Sequence, residues 1–329
     1  MTQTLLTSAP PVPGGGTGGA RAVLRAVAIA SCLPYLSLKA AWIAGSHIGV
    51  PEGSMLLEHR ALMLVANSVT VVMDAAVIVL ALLLTQPWGA RVKGWLLAFP
   101  VWVATGLLTP IMVGFPLQLL AAAFGSAPAR GSSGKEQFLD SWVYGVVYGG
   151  FIVQGLALGA LFLLYARGRW SNLWRGSIWE LPTAVTGTFA RTTAVLGSLL
   201  ALFPLVMHAL WASGSTAGLP LDGIEERTAD FYLLEGVRIL FVLTAVAGAL
   251  LLAFRRAPWL PVKTPLALSW VGSSVLAAWG GWLALASLMP AQDETEHATG
   301  LMTLTYSVEM IVGVLLCCGA AALLRRRSQ

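Results

Sequence analysis

The sequence predicts an all-α, polytopic membrane protein of eight transmembrane helices, built as two parallel four-helix repeats with both termini in the cytoplasm. Three observations lead to this prediction. Of the 329 residues, 57% are apolar and only 11% are charged, a composition that excludes an ordinary soluble domain. Eight stretches reach the ~20 apolar residues that a membrane span needs. Finally, the chain repeats itself in sequence, and its basic residues favour alternate loops.

The predicted spans have boundaries that are good to about four residues. They cover 22–44, 61–85, 94–124, 141–166, 190–213, 231–254, 265–289 and 300–324.

Composition and the internal repeat divide the whole chain into four predicted regions. These are a disordered Pro- and Gly-rich tail (1–20), a first four-helix repeat (21–166), an interfacial linker (167–190) and a second four-helix repeat (191–329). The linker is rich in Trp and Arg, which suits a short amphipathic segment at the depth of the lipid headgroups.

Charge placement predicts the orientation. The N-terminal flank, the segments near 86–93, 167–191 and 255–263, and the C-terminal tail hold 14 of the 20 Lys and Arg together with one acid, Glu180. The alternate loops hold 11 of the 15 acids. Because cytoplasmic loops carry the excess of Lys and Arg, both termini are predicted to be cytoplasmic. The abundance of Arg, Ala, Gly and Leu is typical of a GC-rich bacterium, which predicts the plasma membrane.

The internal repeat is clearest where the first and fifth spans end. With one gap, 34–51 aligns with 204–220, so that Trp42 matches Trp211, Gly45 matches Gly214, and Gly49 matches Gly218. An even number of spans in each copy gives both halves the same orientation, related by an axis along the membrane normal. A pocket between the halves is therefore the first place to look for function.

Interruptions are expected at matching places in the third and seventh spans. The third span carries Pro100, Pro110 and Pro116, whereas the seventh has Gly272, Gly280 and Gly281. Paired interruptions of this kind can mark a binding site between repeats. The alternative is a set of kinks and small residues that serve helix packing.

Charged residues at bilayer depth cost roughly 2.5–3.5 kcal/mol each on insertion scales, so each needs a reason. The second span places His59, Met63, Asn67, Thr70 and Asp74 on one helical face, with Asp74 near the midplane. Asp74 is a candidate catalytic acid, and the alternative is a packing role.

Further polar residues lie between the predicted outer surface and the midplane. In the sixth span, Glu235 and Arg238 take the places of Asn67 and Thr70, and their spacing predicts a pair. Glu309, in the eighth span, is the second candidate catalytic residue. Lys39 and His208 occupy matching positions, where Lys39 can also extend to the interface. The predicted substrate-binding set is Asn67, Thr70, Tyr148, Phe151, Gln154, His208, Glu235, Arg238, Trp270 and Tyr306.

Two hypotheses assign these residues a function. In the first, the protein is a membrane enzyme in which Asp74 and Glu309, sheltered in apolar surroundings, stay protonated and act as acids, while aromatic faces stabilise a carbocation. In outline this resembles the integral-membrane terpene cyclases of meroterpenoid and indole-terpenoid pathways, which place acids on membrane helices. The resemblance is architectural, without a shared motif, and implies acid-catalysed cyclisation of a lipophilic prenyl or terpenoid substrate.

In the second hypothesis, the protein is a proton-coupled transporter or exporter, because an intramembrane carboxyl group, parallel repeats and interrupted helices all suit that role. A third possibility is a non-catalytic sensor, immunity or assembly protein. No cofactor, no metal site and no nucleic-acid partner are predicted, and the only alternative that the histidines offer is a loop metal at His59 and His297. The expected partners are membrane lipid and a lipophilic small molecule, and the oligomeric state is left open.

Overall fold

The computed structural model describes residues 16–51, 60–124, 139–181, 186–221, 224, 227–288 and 297–328. Within these ranges the regular structure is helical, with eight helices that are long and apolar enough to cross a membrane. An apolar chain in a bilayer must satisfy its backbone polar groups internally, which selects helices. The prediction of an all-α protein with eight membrane-spanning helices is thus confirmed at this level.

The helices are numbered α1 to α8 in chain order. Their bounds are α1 Gly16–Ile43, α2 Arg60–Thr85, α3 Gly94–Ala123, α4 Ser141–Trp170, α5 Thr188–Ala212, α6 Ala229–Ala253, α7 Lys263–Ala286 and α8 Gly300–Arg327.

The N-terminal tail is the main departure from the predicted boundaries. Residues 1–15 lie outside the described residues, but Gly16–Ala20, which were assigned to the tail, form the start of α1. Hydropathy identifies the part of a helix that crosses the bilayer, and a helix can continue beyond that part into water. Elsewhere the helix ends agree with the predicted spans to within about four residues, the uncertainty expected of such boundaries.

The two halves, α1–α4 and α5–α8, use the same pattern of helix packing. In the first half α1 packs mainly on α2 and α4, and in the second half α5 packs mainly on α6 and α8. Each half also has its own apolar core, centred on Ala81 and Leu158 in the first and on Val242 and Leu316 in the second. The halves meet where α3 packs against α6 and α7.

The turns that follow α1 and α5 have matching geometry. The indole of Trp42 donates a hydrogen bond to the Ile48 carbonyl at 2.8 Å, and that of Trp211 donates to the Ala217 carbonyl at 2.9 Å. Positive φ angles occur at Gly45 (94°) and Gly214 (96°), and again at Gly49 (72°) and Gly218 (74°). These conformations favour glycine, which accounts for the paired glycines of the sequence alignment.

The α3–α7 contact contains a reciprocal pair of hydrogen bonds. Trp102 on α3 donates to the Ser273 hydroxyl at 3.1 Å, and Trp270 on α7 donates to the Thr105 hydroxyl at 3.4 Å. Each helix therefore supplies a tryptophan and, three residues later, the hydroxyl that accepts from the other helix. Reciprocity of this kind is the property of a contact around a two-fold axis.

The expected helix interruption occurs in α7 alone. Despite its three prolines, α3 runs as one α-helix from Gly94 to Ala123. In α7, a single π turn at Val275–Trp279 separates regular α-helix on either side. The break lies between Gly272 and Gly280, and π turns frequently occur at functional sites.

Because α3 and α7 approach each other closely, we expect that Gly106 cannot be replaced by a residue with a side chain. A Cβ at this position would collide with the backbone carbonyl of Ser274. We expect Gly106→Ala to lower the free energy of unfolding by roughly 1–3 kcal/mol, the usual cost of overpacking. The matched control is Gly145→Ala, because a Cβ at Gly145 has nothing within 4 Å. Thermal unfolding in detergent measures both, and equal melting temperatures for the two variants would contradict the α3–α7 contact.

Candidate functional site

One cluster of polar side chains lies inside the second half, and we call it the histidine cluster. It comprises His208 on α5, Glu235 and Arg238 on α6, and Tyr306 and Glu309 on α8. His208 is fully buried, while Glu235 and Glu309 retain only 5% and 3% of their exposure. The i, i+3 spacing of the residues on α6 and on α8 places both members of each pair on one face of their helix.

His208 is held between two carboxyl groups. Its Nδ1 lies 2.5 Å from Glu235 Oε2, and its Nε2 lies 2.9 Å from Glu309 Oε1. Each hydrogen bond needs one proton between its two heavy atoms. The three groups therefore share two protons, either as an imidazolium between two carboxylates or as a neutral imidazole beside one carboxylic acid. Loss of either proton leaves a ring nitrogen facing a carboxylate oxygen without a hydrogen bond.

Arg238 balances the charge of this unit. Its Nε lies 3.6 Å from Glu235 Oε1, which confirms the expected contact between these two residues. Its guanidinium carbon lies 5.2 Å from the centre of the Tyr306 ring. With two shared protons, His208, Glu235 and Glu309 carry a net charge of minus one, and Arg238 makes the cluster neutral. The Nη1 atom of Arg238 is buried without a hydrogen-bond partner among the described residues.

A second cluster occupies the first half, and we call it the lysine cluster. Its members are Lys39 and Tyr35 on α1, Asn67 and Asp74 on α2, and Gln154 on α4. Lys39 Nζ donates to Asn67 Oδ1 at 3.1 Å and lies 4.2 Å from the centre of the Tyr35 ring. Lys39 is only 4% exposed, so its side chain turns inward and does not extend to the interface.

Asp74 is the acidic member of the lysine cluster. It is 4% exposed, its side chain is hydrogen-bonded by Gln154, and it lies near enough to Lys39 to interact with it electrostatically. Its Oδ2 atom is buried without a hydrogen-bond partner among the described residues. A carboxyl oxygen in that state is costly to keep charged.

The two clusters lie at corresponding positions of the helices, but they consist of different residues. Lys39 corresponds to His208 and Asn67 to Glu235, but Asp74 has Val242 as its counterpart and Glu309 has Phe151. The described contacts of Asp74 lie in the first half, and those of Glu309 lie in the second. The two clusters therefore share no described contact, and a chamber common to both carboxyl groups stays a prediction.

Of the remaining predicted site residues, Thr70 and Phe151 border the lysine cluster at Tyr35, and Trp270 and Tyr148 pack on other aromatic rings. The Thr70 hydroxyl donates to the Ala66 carbonyl of its own helix at 2.9 Å and is also hydrogen-bonded with the Tyr35 side chain. Phe151 packs edge-on against Tyr35, with ring centres 5.0 Å apart. Trp270 belongs to the α3–α7 contact and stacks on Phe162 at 5.3 Å. Tyr148 packs beside Phe115.

A cavity of about 130 Å³ lies between the halves, among α3, α4, α6 and α7. Most of its wall is apolar or aromatic. Its polar lining consists of Gln118, Tyr148 and Arg238, and its aromatic lining includes Phe115, Phe241 and Trp279. Of the predicted substrate-binding residues, only Tyr148 and Arg238 are among the lining residues. The wall of the cavity thus includes residues of α3 and α7, the two helices for which the sequence predicts interruptions.

Sequence reasoning did not identify Gln118 or Trp279 as site residues. The available signal for Gln118 was its position two residues after Pro116 in a long apolar span, where an amide needs a reason to be buried. Trp279 stood well inside its span rather than in an interfacial belt. Neither signal shows which way a helix is rotated, so neither could show that the two residues line one cavity.

The described residues contain no group of three or more His, Cys, Asp or Glu that could hold a metal ion. In the histidine cluster the reason is geometric, because the two ring nitrogens of His208 point to different carboxyl groups and the donors do not converge. His59, considered above with His297, lies outside the described residues.

Comparison of the chain with protein-family models, with curated proteins and with solved structures finds no match.

Because His208 and Glu309 share a hydrogen bond, we expect the effects of substituting them on the free energy of unfolding to be strongly coupled. We expect His208→Leu and Glu309→Leu each to cost about 3 kcal/mol, because each leaves a buried charged group without its partner. The double variant should cost less than the sum, by roughly 1–3 kcal/mol. The free energy of unfolding in detergent measures this coupling. As the control, Asp74→Leu and Glu309→Leu should be additive, since the residues belong to different clusters. Additivity in the first cycle would contradict the histidine cluster.

Proposed function

We propose that the protein is a proton-linked transporter of a small molecule in the bacterial plasma membrane, and that the histidine cluster exchanges a proton while substrate passes. The observation that carries this proposal is the placement of a fully buried imidazole between two carboxyl groups, on helices long and apolar enough to cross a membrane. Ionisable residues in such positions mark proton relays and substrate pathways in membrane proteins.

The proton count of the cluster supports this role. Both hydrogen bonds of His208 need at least two protons shared by the three groups. Loss of one proton breaks one of the bonds that join α5 to α6 and to α8, so protonation and helix packing depend on each other. A transporter needs such a link between an ion and a conformational equilibrium.

The organisation of the chain also supports transport. We infer that the protein is a duplicated four-helix unit with both copies in the same orientation, and that both termini are cytoplasmic. The matching turns at Trp42 and Trp211 and the reciprocal hydrogen bonds of Trp102 and Trp270 support the duplication. The charge distribution supports the orientation. In transporters with internal repeats, substrate sites lie at the interface between the repeats, and a cavity is found there in this protein.

If the protein is a proton-linked transporter, a substrate should move protons across the membrane only when the histidine cluster is intact. We expect addition of a substrate to energised inverted vesicles to change the pH gradient, followed with a pH-sensitive dye: exchange of substrate for protons lowers the gradient, and movement of substrate together with protons raises it. A panel of small organic anions, cations and neutral compounds avoids any assumption about substrate. Glu309→Gln should reduce the response at least tenfold, because it removes a titratable group.

The matched control for this experiment is Glu180→Gln, which changes an exposed glutamate in the linker. It should behave like the parent. If no compound in the panel gives a response larger than that of vesicles without the protein, the transporter is rejected.

An acid-catalysed cyclase is the second candidate. The observation in its favour is the unpartnered and buried Oδ2 of Asp74, near the aromatic pair Tyr35 and Phe151. Against it, no carboxyl group is among the residues that line the cavity, and a volume of about 130 Å³ is well below the ~300–1,000 Å³ of ordinary ligand pockets. A prenyl chain of terpenoid length is larger than this cavity.

The enzyme alternative makes a different prediction for Asp74. In a detergent extract no gradient can exist, so product formed there from prenylated substrates must arise from catalysis. We expect no such product from the parent protein. Product that appears with the parent and falls more than a hundredfold in Asp74→Asn, measured by mass spectrometry, would favour the cyclase over the transporter.

A further inference from the structure

We propose that the cavity between the halves binds a small organic monoanion with an apolar ring, such as an aromatic carboxylate or sulfonate. This inference deepens the proposed transporter by naming the class of its substrate. It rests on the proposed function for its biological purpose, whereas the binding itself can be measured without transport.

The size and lining of the cavity favour a compact ring. A cavity of about 130 Å³ is close to the ~150 Å³ of an engineered protein cavity that binds benzene. Phe115, Phe241 and Trp279 contribute aromatic surface, and aromatic side chains stack favourably edge-to-face or offset with another ring. The wall thus matches one six-membered ring better than a long chain.

Arg238 determines the preferred charge. Among the described residues that line the cavity, it is the only charged one. Its side chain retains 21% of its exposure, and its Nη1 has no hydrogen-bond partner among the described residues, so the guanidinium group keeps donor capacity for a ligand. Arginine binds carboxylate and sulfonate groups through charge-assisted hydrogen bonds. A cation in the same place would face the guanidinium group in surroundings of low dielectric constant, where repulsion is strong.

Two further features give the cavity a polar end and a distinct shape. Gln118, which is 9% exposed, adds an amide that can donate to the same anionic group. Val275 and Trp279, at the two ends of the π turn in α7, both contribute to the wall. The π turn thus lies where the helix borders the cavity, as is common for π turns at functional sites.

Charge balance links this anion to a proton. The charged and titratable groups around Arg238 are Glu235 on its own helix, His208 on α5, and Tyr306 and Glu309 on α8, and together with Arg238 they are neutral when two protons are shared. Tyr148, on α4, faces the cavity from the other half. An anion beside Arg238 makes the site negative unless one more proton binds to the histidine cluster. Anion affinity should therefore rise as the pH falls, with uptake of about one proton per anion bound.

The test uses the purified full-length protein in detergent, with benzoate as the probe. Benzamide and benzylammonium serve as neutral and cationic analogues of nearly the same shape. Titration calorimetry in buffers with different ionisation enthalpies gives the affinity and the number of protons taken up. We expect benzoate to bind at least tenfold more tightly than either analogue, with proton uptake on binding.

Two variants separate the charge from the shape of the site. Arg238→Gln should reduce benzoate affinity by about tenfold to a hundredfold, the effect of losing a charged hydrogen bond, and should leave benzamide unaffected. Ile111→Phe, which fills the cavity, should weaken both probes. The controls are Arg167→Gln, at an exposed arginine on α4, and Leu119→Phe, at a side chain on α3 that is 56% exposed. Because the Ile111 variant leaves the histidine cluster intact, it remains informative if Arg238→Gln fails to fold.

Several results would overturn the inference. The first is absence of benzoate binding up to about 1 mM, which corresponds to a binding free energy of only about −4 kcal/mol. The second is equal affinity for benzoate and benzamide. The third is unchanged affinity for both probes in Ile111→Phe. Failure of the inference is distinguishable from failure of the proposed function. Anion binding without proton movement in vesicles removes the transporter but keeps the anion site. Transport of a different compound without benzoate binding removes the anion site and keeps the transporter.

Discussion

Neutralisation of ionisable groups buried between helices is the constraint on which the rest of this structure depends. The two clusters contain five side chains with formal charges, and at roughly 2.5–3.5 kcal/mol each on insertion scales their combined cost would match the whole stability of a typical protein. The protein meets this cost with two compact clusters that pair acids with bases. In the second half, the hydrogen bonds of His208 to Glu235 and Glu309 hold three helices together. In the first half, Lys39 and Asp74 offset each other across α1 and α2.

The two halves meet the same constraint with different chemistry. Lys39 donates to an amide oxygen, which can only accept, whereas the two ring nitrogens of His208 join two carboxyl groups. Imidazole can both donate and accept, so the protons of the histidine cluster can be placed on either partner of each hydrogen bond. The duplication that we propose has thus given one half an amine–amide pair and the other half an imidazole between two carboxyl groups, and the proposed proton exchange uses the second arrangement.

Hydropathy was sufficient to predict the eight spans, because the bilayer sets both the length and the composition of each helix. Local spacing was sufficient to predict the contact between Glu235 and Arg238, which are neighbours on one helix. Contacts between helices were harder to predict. The sequence alignment placed His208 opposite Lys39, but it could not show that Glu309, about a hundred residues later, bonds to the same ring. That contact depends on the rotation of α8 about its axis. The glycines of the seventh span did predict an interruption of α7, and the π turn at Val275–Trp279 lies between them, whereas the interruption predicted for α3 is absent although that helix has three prolines.

Arg238 connects the two features that the sequence left separate. It pairs with Glu235 in the histidine cluster and also lines the cavity between the halves. Unit charges about 4 Å apart interact by roughly 4 kcal/mol at an effective dielectric constant of 20. Typical coupling between two binding sites needs only 1–3 kcal/mol. A single guanidinium group that contacts the histidine cluster and also lines the cavity is therefore strong enough to link the proton and the anion that we propose for them. By reciprocity, an anion that raises proton affinity must be bound more tightly after protonation, so no large motion is needed for the two events to occur together.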